Sequence, residues 1–280
     1  MDPPHRTNGS SSRPAARVRA RAASRSKLAG RLDEALATVL SGNAAAPLTV
    51  SVAELLSEPV PTADVITAAL DKPETGLLGQ WRVRETFVRS GLHDQLLNSL
   101  VNPDTALRVA AARLCGALRM TEAVQWIGDL LRDGSPEVRD AAVRSLGRLG
   151  GGRAVDVLVG AADQLPLYRL APALAAAASD VQIEGLMRKP PSERAAVATV
   201  MACGLRRDIL RVPPLLGIAH DRRWPRQVRI ASCHALTMIG DPASTGGLRG
   251  LADREPDPAV KAAAERAHRR LIRSVGRGWK

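Results

Sequence analysis

The stretch "SPEVRDAAVRSLGRLG" at residues 135–150 decides the fold. With Val138 at the origin of a helical wheel, Val138, Ala141, Ala142, Ser145, Leu146 and Leu149 fall in one stripe about 140° wide. That stripe is a core face. Pro136 stands in the first turn, where its missing N–H costs no helical hydrogen bond. Gly150 follows the last turn, where a left-handed cap suits glycine. Arg139 lies at the stripe's edge, its aliphatic stem able to cover apolar surface, and Arg148 flanks the other side. The opposite arc carries Asp140, Val143, Arg144 and Gly147.

The same phrase recurs along the chain. Laid on Val138 and Arg139, "TALRVAAARLCGALR" (105–119) supplies Leu107 and Arg108, and "RQVRIASCHALTMIG" (226–240) supplies Val228 and Arg229. "PAVKAAAERAHRRLI" (258–272) supplies Val260 and Lys261. Weaker copies stand at "LYRLAPALAAAAS" (167–179) and "SERAAVATVMACG" (192–204). Anchors at 107, 138, 168, 193, 228 and 260 are 31, 30, 25, 35 and 32 residues apart. Self-similarity at such a period marks a solenoid of stacked helix pairs. Each unit reads as an apolar helix such as "AVQWIGDLLRD", a polar turn ("GSP", "EPDP"), and a second helix closed by glycine.

The pattern D-x-x-P-x-V-R-x-x-A-x-x-x-L-G-x-x-G, read from Asp133 to Gly150, resembles the short bacterial HEAT repeat of the phycobilisome-lyase type. The resemblance covers about residues 92–273. It implies an all-α fold: a right-handed α-solenoid of antiparallel helix pairs, HEAT-like or armadillo-like. It also implies that the repeat arginine and the turn aspartate form a ladder between neighbouring units. Arg139 and Asp133 take those places, as do Arg229 with Asp221 and Arg108 with Asn102. In HEAT solenoids the second helix lines the concave face, where partners bind. The residues so placed include Val109 and Arg113, then Asp140, Val143 and Arg144, then Leu170 and Leu174, then Ile230 and His234, and last Arg266. That face reads as apolar at its centre with arginines toward its ends. An open alternative is that these helices are buried on both sides.

Composition agrees with an all-helical chain. Hydrophobic residues make up 45% of the 280, yet there are only one Phe, one Tyr and four Trp; Ala, Leu and Val supply the apolar mass. The net charge of +12 is localised. Seven Arg and Lys against Asp2 in residues 1–27, and seven against Glu265 in 261–280, account for all of it, so the body is neutral. Residues 1–27 read as a disordered basic arm and 28–91 as an irregular helical region, with N-caps at Ser51 and Thr62. The solenoid follows over 92–273 and a tail over 274–280. No apolar run is long enough for a membrane span, and the first residues lack the apolar core expected of a secretory signal. Cys115, Cys203 and Cys233 stand apart in apolar stretches and read as small buried hydrophobes. A cytoplasmic location is the expectation.

The chemistry of a site is sparse. A HEAT-fold iron hydroxylase resembling deoxyhypusine hydroxylase would need several His-Glu pairs on facing helices, and the chain has no such dipeptide. A glycosylase of the alkylation-repair type would need a cationic channel, which a neutral body does not offer. Trp126 reads as core packing. No pigment-handling motif supports a lyase, and neither a phosphate loop nor a nucleophile elbow is present. The sequence therefore predicts a scaffold without cofactor, metal or catalytic residue, binding a protein partner on the concave face. The alternatives are an adaptor using the basic ends 1–27 and 261–280 on nucleic acid or an anionic membrane, and an enzyme or accessory subunit of the lyase or glycosylase type.

Overall fold

The computed structural model describes residues 27–41, 55 and 58–275. Among these, every regular element is helical, and the chain is an all-α solenoid. It divides into two units, residues 1–118 and 119–280. The first holds α1 (27–40), α2 (Pro59–Asp71), α3 (Gly76–Arg89), α4 (Leu92–Ser99) and α5 (Thr105–Ala117). The helix α5 packs chiefly on α2 and next on α4. The basic arm up to residue 26, the proposed cap at Ser51 and the tail beyond residue 275 lie outside the described residues. Thr62 is not a cap. The helix α2 starts three residues earlier at Pro59, whose fixed φ suits a first turn, and Thr62 is buried inside it.

The second unit carries five helix pairs. They are α6 (Val124–Asp129) with α7 (Pro136–Leu149), α8 (Gly151–Gly160) with α9 (Leu167–Ala177), and α10 (Asp180–Arg188) with α11 (Glu193–Arg206). Then come α12 (Val212–His220) with α13 (Arg226–Ile239), and α14 (Ser244–Arg254) with α15 (Pro258–Val275). The second helices α7, α9, α11, α13 and α15 pack each on the next in one layer. Local chemistry sets the boundaries. Ser135 and Ser192 accept from the N–H groups of Val138 and Ala195; Ser179 and Gln182 form a reciprocal capping box ahead of α10. Gly150 and Gly240 end α7 and α13 at positive φ.

Small residues let the second helices approach closely. A Cβ on Gly147 would lie 3.1 Å from Ala173 Cα, and one on Gly204 would lie 2.8 Å from Ala235 Cα. These two contacts fix the register between repeats. They place anchors at 138, 166, 195, 228 and 260, spaced 28, 29, 33 and 32 residues. The sequence had put the two middle anchors at 168 and 193. Each slip of two residues turns a helix by about 200°. Trp126 also departs from expectation. The stretch 121–132 breaks into a short α-helix between 3₁₀ turns, and the indole is 44% exposed.

Candidate functional site

The repeat arginines are structural: Arg139 and Arg108 meet the expected residues through main-chain carbonyls, and Arg229 takes a different partner. Arg139 donates to the main-chain carbonyls of Asp133 (2.6 Å) and Gly134 (3.0 Å) in its own turn. Arg108 does the same with Asn102 (2.8 Å) and Pro103 (2.9 Å). The Asp133 carboxylate accepts from the Ser135 N–H, so it braces the turn that Arg139 grips. Asp221 is held by Arg223, not by Arg229; the Arg223 side chain and N–H keep its carboxyl below the usual range. Arg229 instead reaches into the next repeat. It donates Nε to the Ala219 carbonyl (2.9 Å) and forms a two-pronged ion pair with Glu255. Arg226 pairs with Asp257 in the same turn (2.6 Å), and Asp257 caps α15 through the Ala259 N–H.

Other bonds between neighbouring repeats fall near a spacing of 29 residues. Arg169 on α9 pairs with Asp140 on α7, and Arg194 on α11 donates to the Leu165 carbonyl at 2.7 and 3.0 Å. The ladder exists, and its buried rung follows the repeat's own columns: Arg229 stands one residue after its anchor as Arg139 does, and Glu255 five before its anchor as Asp133 does. Arg169, Asp140 and Arg194 lie outside those columns.

Fixing the register shows what the second helices expose. The positions two, six and ten residues after each anchor form three columns across the layer. The first runs Asp140, Tyr168, Val197, Ile230, Ala262; the second, Arg144, Pro172, Met201, His234, Arg266. The third runs Arg148, Ala176, Leu205, Met238, Arg270. Arg144, Pro172, Ala176, Leu205, His234, Arg266 and Arg270 are exposed, as is Tyr168 at 71%. The strip is apolar across α9, α11 and much of α13, with arginines on α7 and α15.

Three expected contact residues are inside the core. Leu170 and Leu174 are fully buried, because in the true register they sit four and eight residues after their anchor, beside Ala142 and Leu146 of the previous repeat. Val143 is in register but buried, since its flank of α7 packs toward the next second helix, as Gly147 does against Ala173. The neighbouring helix thus covers part of the arc that a single wheel leaves open. In the first unit, Arg113 is paired with Asp64 on α2, and Val109 is half-buried.

The strip's electrostatics follow from its neighbours. Partial burial, then the charges of Arg266 and Arg270, hold the His234 imidazole below its ordinary pKa, so it is neutral at pH 7. Pro172 has no N–H to offer the Tyr168 carbonyl one turn earlier. The Arg169 guanidinium stands 5.1 Å from the Tyr168 ring centroid, a cation–π distance that fixes the ring's neighbour. Burial pushes the thiols of Cys203 and Cys233 up to about 11 and about 12, which leaves them unreactive at neutral pH. Among the described residues, no three His, Cys, Asp or Glu side chains converge as a metal-binding group. Sequence reasoning also missed α3, which exposes Leu77, Leu78, Trp81 and Val88. The signal was available as Leu77, Trp81 and Val88 at helical spacing on the side away from buried Val83 and Phe87.

A family model of HEAT repeats matches residues 93–178 and 180–269. Among curated proteins, none matches the chain. Similar solved structures include human deoxyhypusine hydroxylase in complex with glycerol, at 18% identity and a TM-score of 0.35, with 88% of this chain and 97% of that one covered. Another is the complex of CpcE and CpcF of phycocyanin lyase from Nostoc sp., at 19% identity and a TM-score of 0.34, covering 75% and 94%. An engineered protein matches at 18% identity and a TM-score of 0.33, covering 79% and 96%. Among the described residues, no helix is long and apolar enough to cross a membrane.

Proposed function

The chain belongs to the HEAT-repeat family, and from that premise we propose that it is a non-catalytic adaptor that docks a protein partner on the exposed strip of its second helices. One observation carries the reading. Tyr168, Pro172 and Leu205, exposed, and Met201, Ile230 and Met238, half-buried, continue one column set across three consecutive second helices, α9, α11 and α13. Scattered surface apolar residues need no explanation, but a contiguous apolar strip rimmed by charge marks an interaction surface. The charged groups Arg229, Glu255, Arg194 and Asp140 are engaged in joining repeats. In this reading they keep the strip rigid and take no part in chemistry.

A photo-crosslinking residue placed at Met201 tests the proposal, with one at Val181 as control; Val181 is 80% exposed on the first helix of the same repeat. A protein adduct formed from position 201 and absent from 181 is expected. Equal labelling from both positions overturns the assignment of the surface. A substrate turned over by the purified chain overturns the adaptor reading.

A further inference from the structure

We infer that the partner segment is acidic at one end: an apolar stretch lies on α9 and α11, and a cluster of carboxylates meets Arg266 and Arg270 on α15. This rests on the docking surface proposed above and assigns its chemistry and direction. Arg266 and Arg270 follow their anchor Val260 by six and ten residues, so they continue the columns that hold Met201 and Leu205 on α11. Both are exposed. The one carboxylate on α15, Glu265, stands 3.7 Å from Arg269, and among the described residues no acid pairs with Arg266 or Arg270. On the adjoining α13 the strip adds His234 and no acid.

The opposite end of the strip is different in charge. There α7 sets Arg139, Arg144 and Arg148 against Glu137 and Asp140, and Asp140 pairs with Arg169. Its positive excess is smaller than that of α15, where Lys261, Arg266, Arg269, Arg270 and Arg273 face Glu265 alone. Charge complementarity therefore favours the cluster of acidic residues at the α15 end, where the excess of positive charge is greater. The uncharged centre argues against nucleic acid, whose phosphates call for cations along the whole path. Neighbouring packed helices lie about 10 Å apart, so α11 and α15 are separated by about 20 Å. An extended segment spans that in about six residues and a helix in about thirteen.

The experiment is a random-peptide display selection on the intact chain, followed by binding of the selected synthetic peptides to variants. Selected peptides are expected to combine apolar residues with a run of Asp or Glu. Their affinity should fall at least about tenfold on Arg266→Glu/Arg270→Glu and recover when the peptide's acids are changed to Lys. It should also weaken with added salt. Peptides that need Met201 and Leu205 but have no acidic bias and bind the arginine variant normally overturn the acidic-partner inference while leaving the docking surface standing. Peptides indifferent to Met201→Glu/Leu205→Glu, or no selected peptide at all, overturn the docking surface itself. A 20-residue oligothymidine and phosphatidylserine vesicles serve as competing probes. Binding of either that is lost with the two arginines and kept with Met201→Glu/Leu205→Glu reassigns α15 to nucleic acid or membrane and overturns the inference.

Discussion

Two joints in the second unit connect neighbouring repeats with the same residue types in different surroundings. Between α7 and α9, Arg169 and Asp140 meet at the edge of the strip with side chains 28% and 31% exposed. Between α13 and the turn ahead of α15, Arg229 and Glu255 meet with side chains 6% and 3% exposed. Water screens the first pair and competes for its hydrogen bonds, so its net contribution is about 0–1 kcal/mol. Desolvating the second pair is expensive, and only its full set of partners makes it tolerable: the Ala219 carbonyl on Arg229 and the Asp257 N–H on Glu255. The difference teaches that an ion pair's value here lies in what its loss would leave behind.

The largest effect is expected at the buried joint. Glu255→Gln leaves the Arg229 guanidinium buried without its counter-charge and should cost about 3 kcal/mol in denaturant unfolding of the full chain. Arg229→Met/Glu255→Leu should recover most of that loss, because the desolvation cost disappears along with the attraction. A double variant as unstable as the single one would break the comparison. Acid probes the same joint. Burial pushes the Glu255 carboxyl up, but hydrogen bonds from Arg229 and the Asp257 N–H outweigh it and leave the pKa lowered. Its contribution is therefore complete above the ordinary carboxyl value of about 4.3 and is lost as pH falls through the lower folded value. The stability gap between the native chain and Glu255→Gln should be constant near neutrality and shrink below about pH 4.3. A gap that does not shrink in acid would place the effect outside the carboxyl.

The glycine contacts give the next step down. Gly204→Ala drives a Cβ to within 2.8 Å of the Ala235 backbone, whereas Gly147→Ala brings one to 3.1 Å of Ala173. Overpacking against backbone costs about 1–3 kcal/mol, partly offset by alanine's helix propensity. Unfolding midpoints should show Gly204→Ala as the more damaging of the two. The reverse order would mean that the α11–α13 contact relaxes more easily than the α7–α9 contact.

These joints also mark how far the sequence could be read. Fold class, repeat length and the strong copies at 138, 228 and 260 were legible, because each buries a valine at one place in a helix with ordinary turn signals around it. The weak copies were not. In α9 the dipeptide Tyr168–Arg169 imitates the Val–Arg of the strong repeats, while the true anchor, Pro166, is the residue before the helix. A two-residue slip then carried Leu170 and Leu174 from core to surface. Glu255 was legible only as the turn acid of its repeat, five residues before Val260 as Asp133 is before Val138. It lies in a turn, and only the packing of α13 against α15 reveals that Arg229 reaches it and not Asp221. The apolar centre and basic ends of the strip survived the slip, since a helix this rich in Ala and Leu offers apolar residues on either face.

The exposed joint is where the smallest effect is expected, and it is the sharper control. Asp140→Ala removes the partner of Arg169, but that guanidinium keeps the Tyr168 ring beside it and water within reach. A double-variant cycle between Asp140 and Arg169 should therefore give a coupling of about 0.5 kcal/mol, shrinking as salt is raised. The same cycle between Arg229 and Glu255 should be several times larger and almost indifferent to salt, because little solvent reaches that pair. Equal couplings at the two joints would show that burial does not separate them. The repeats would then be held chiefly by the apolar and glycine contacts between second helices.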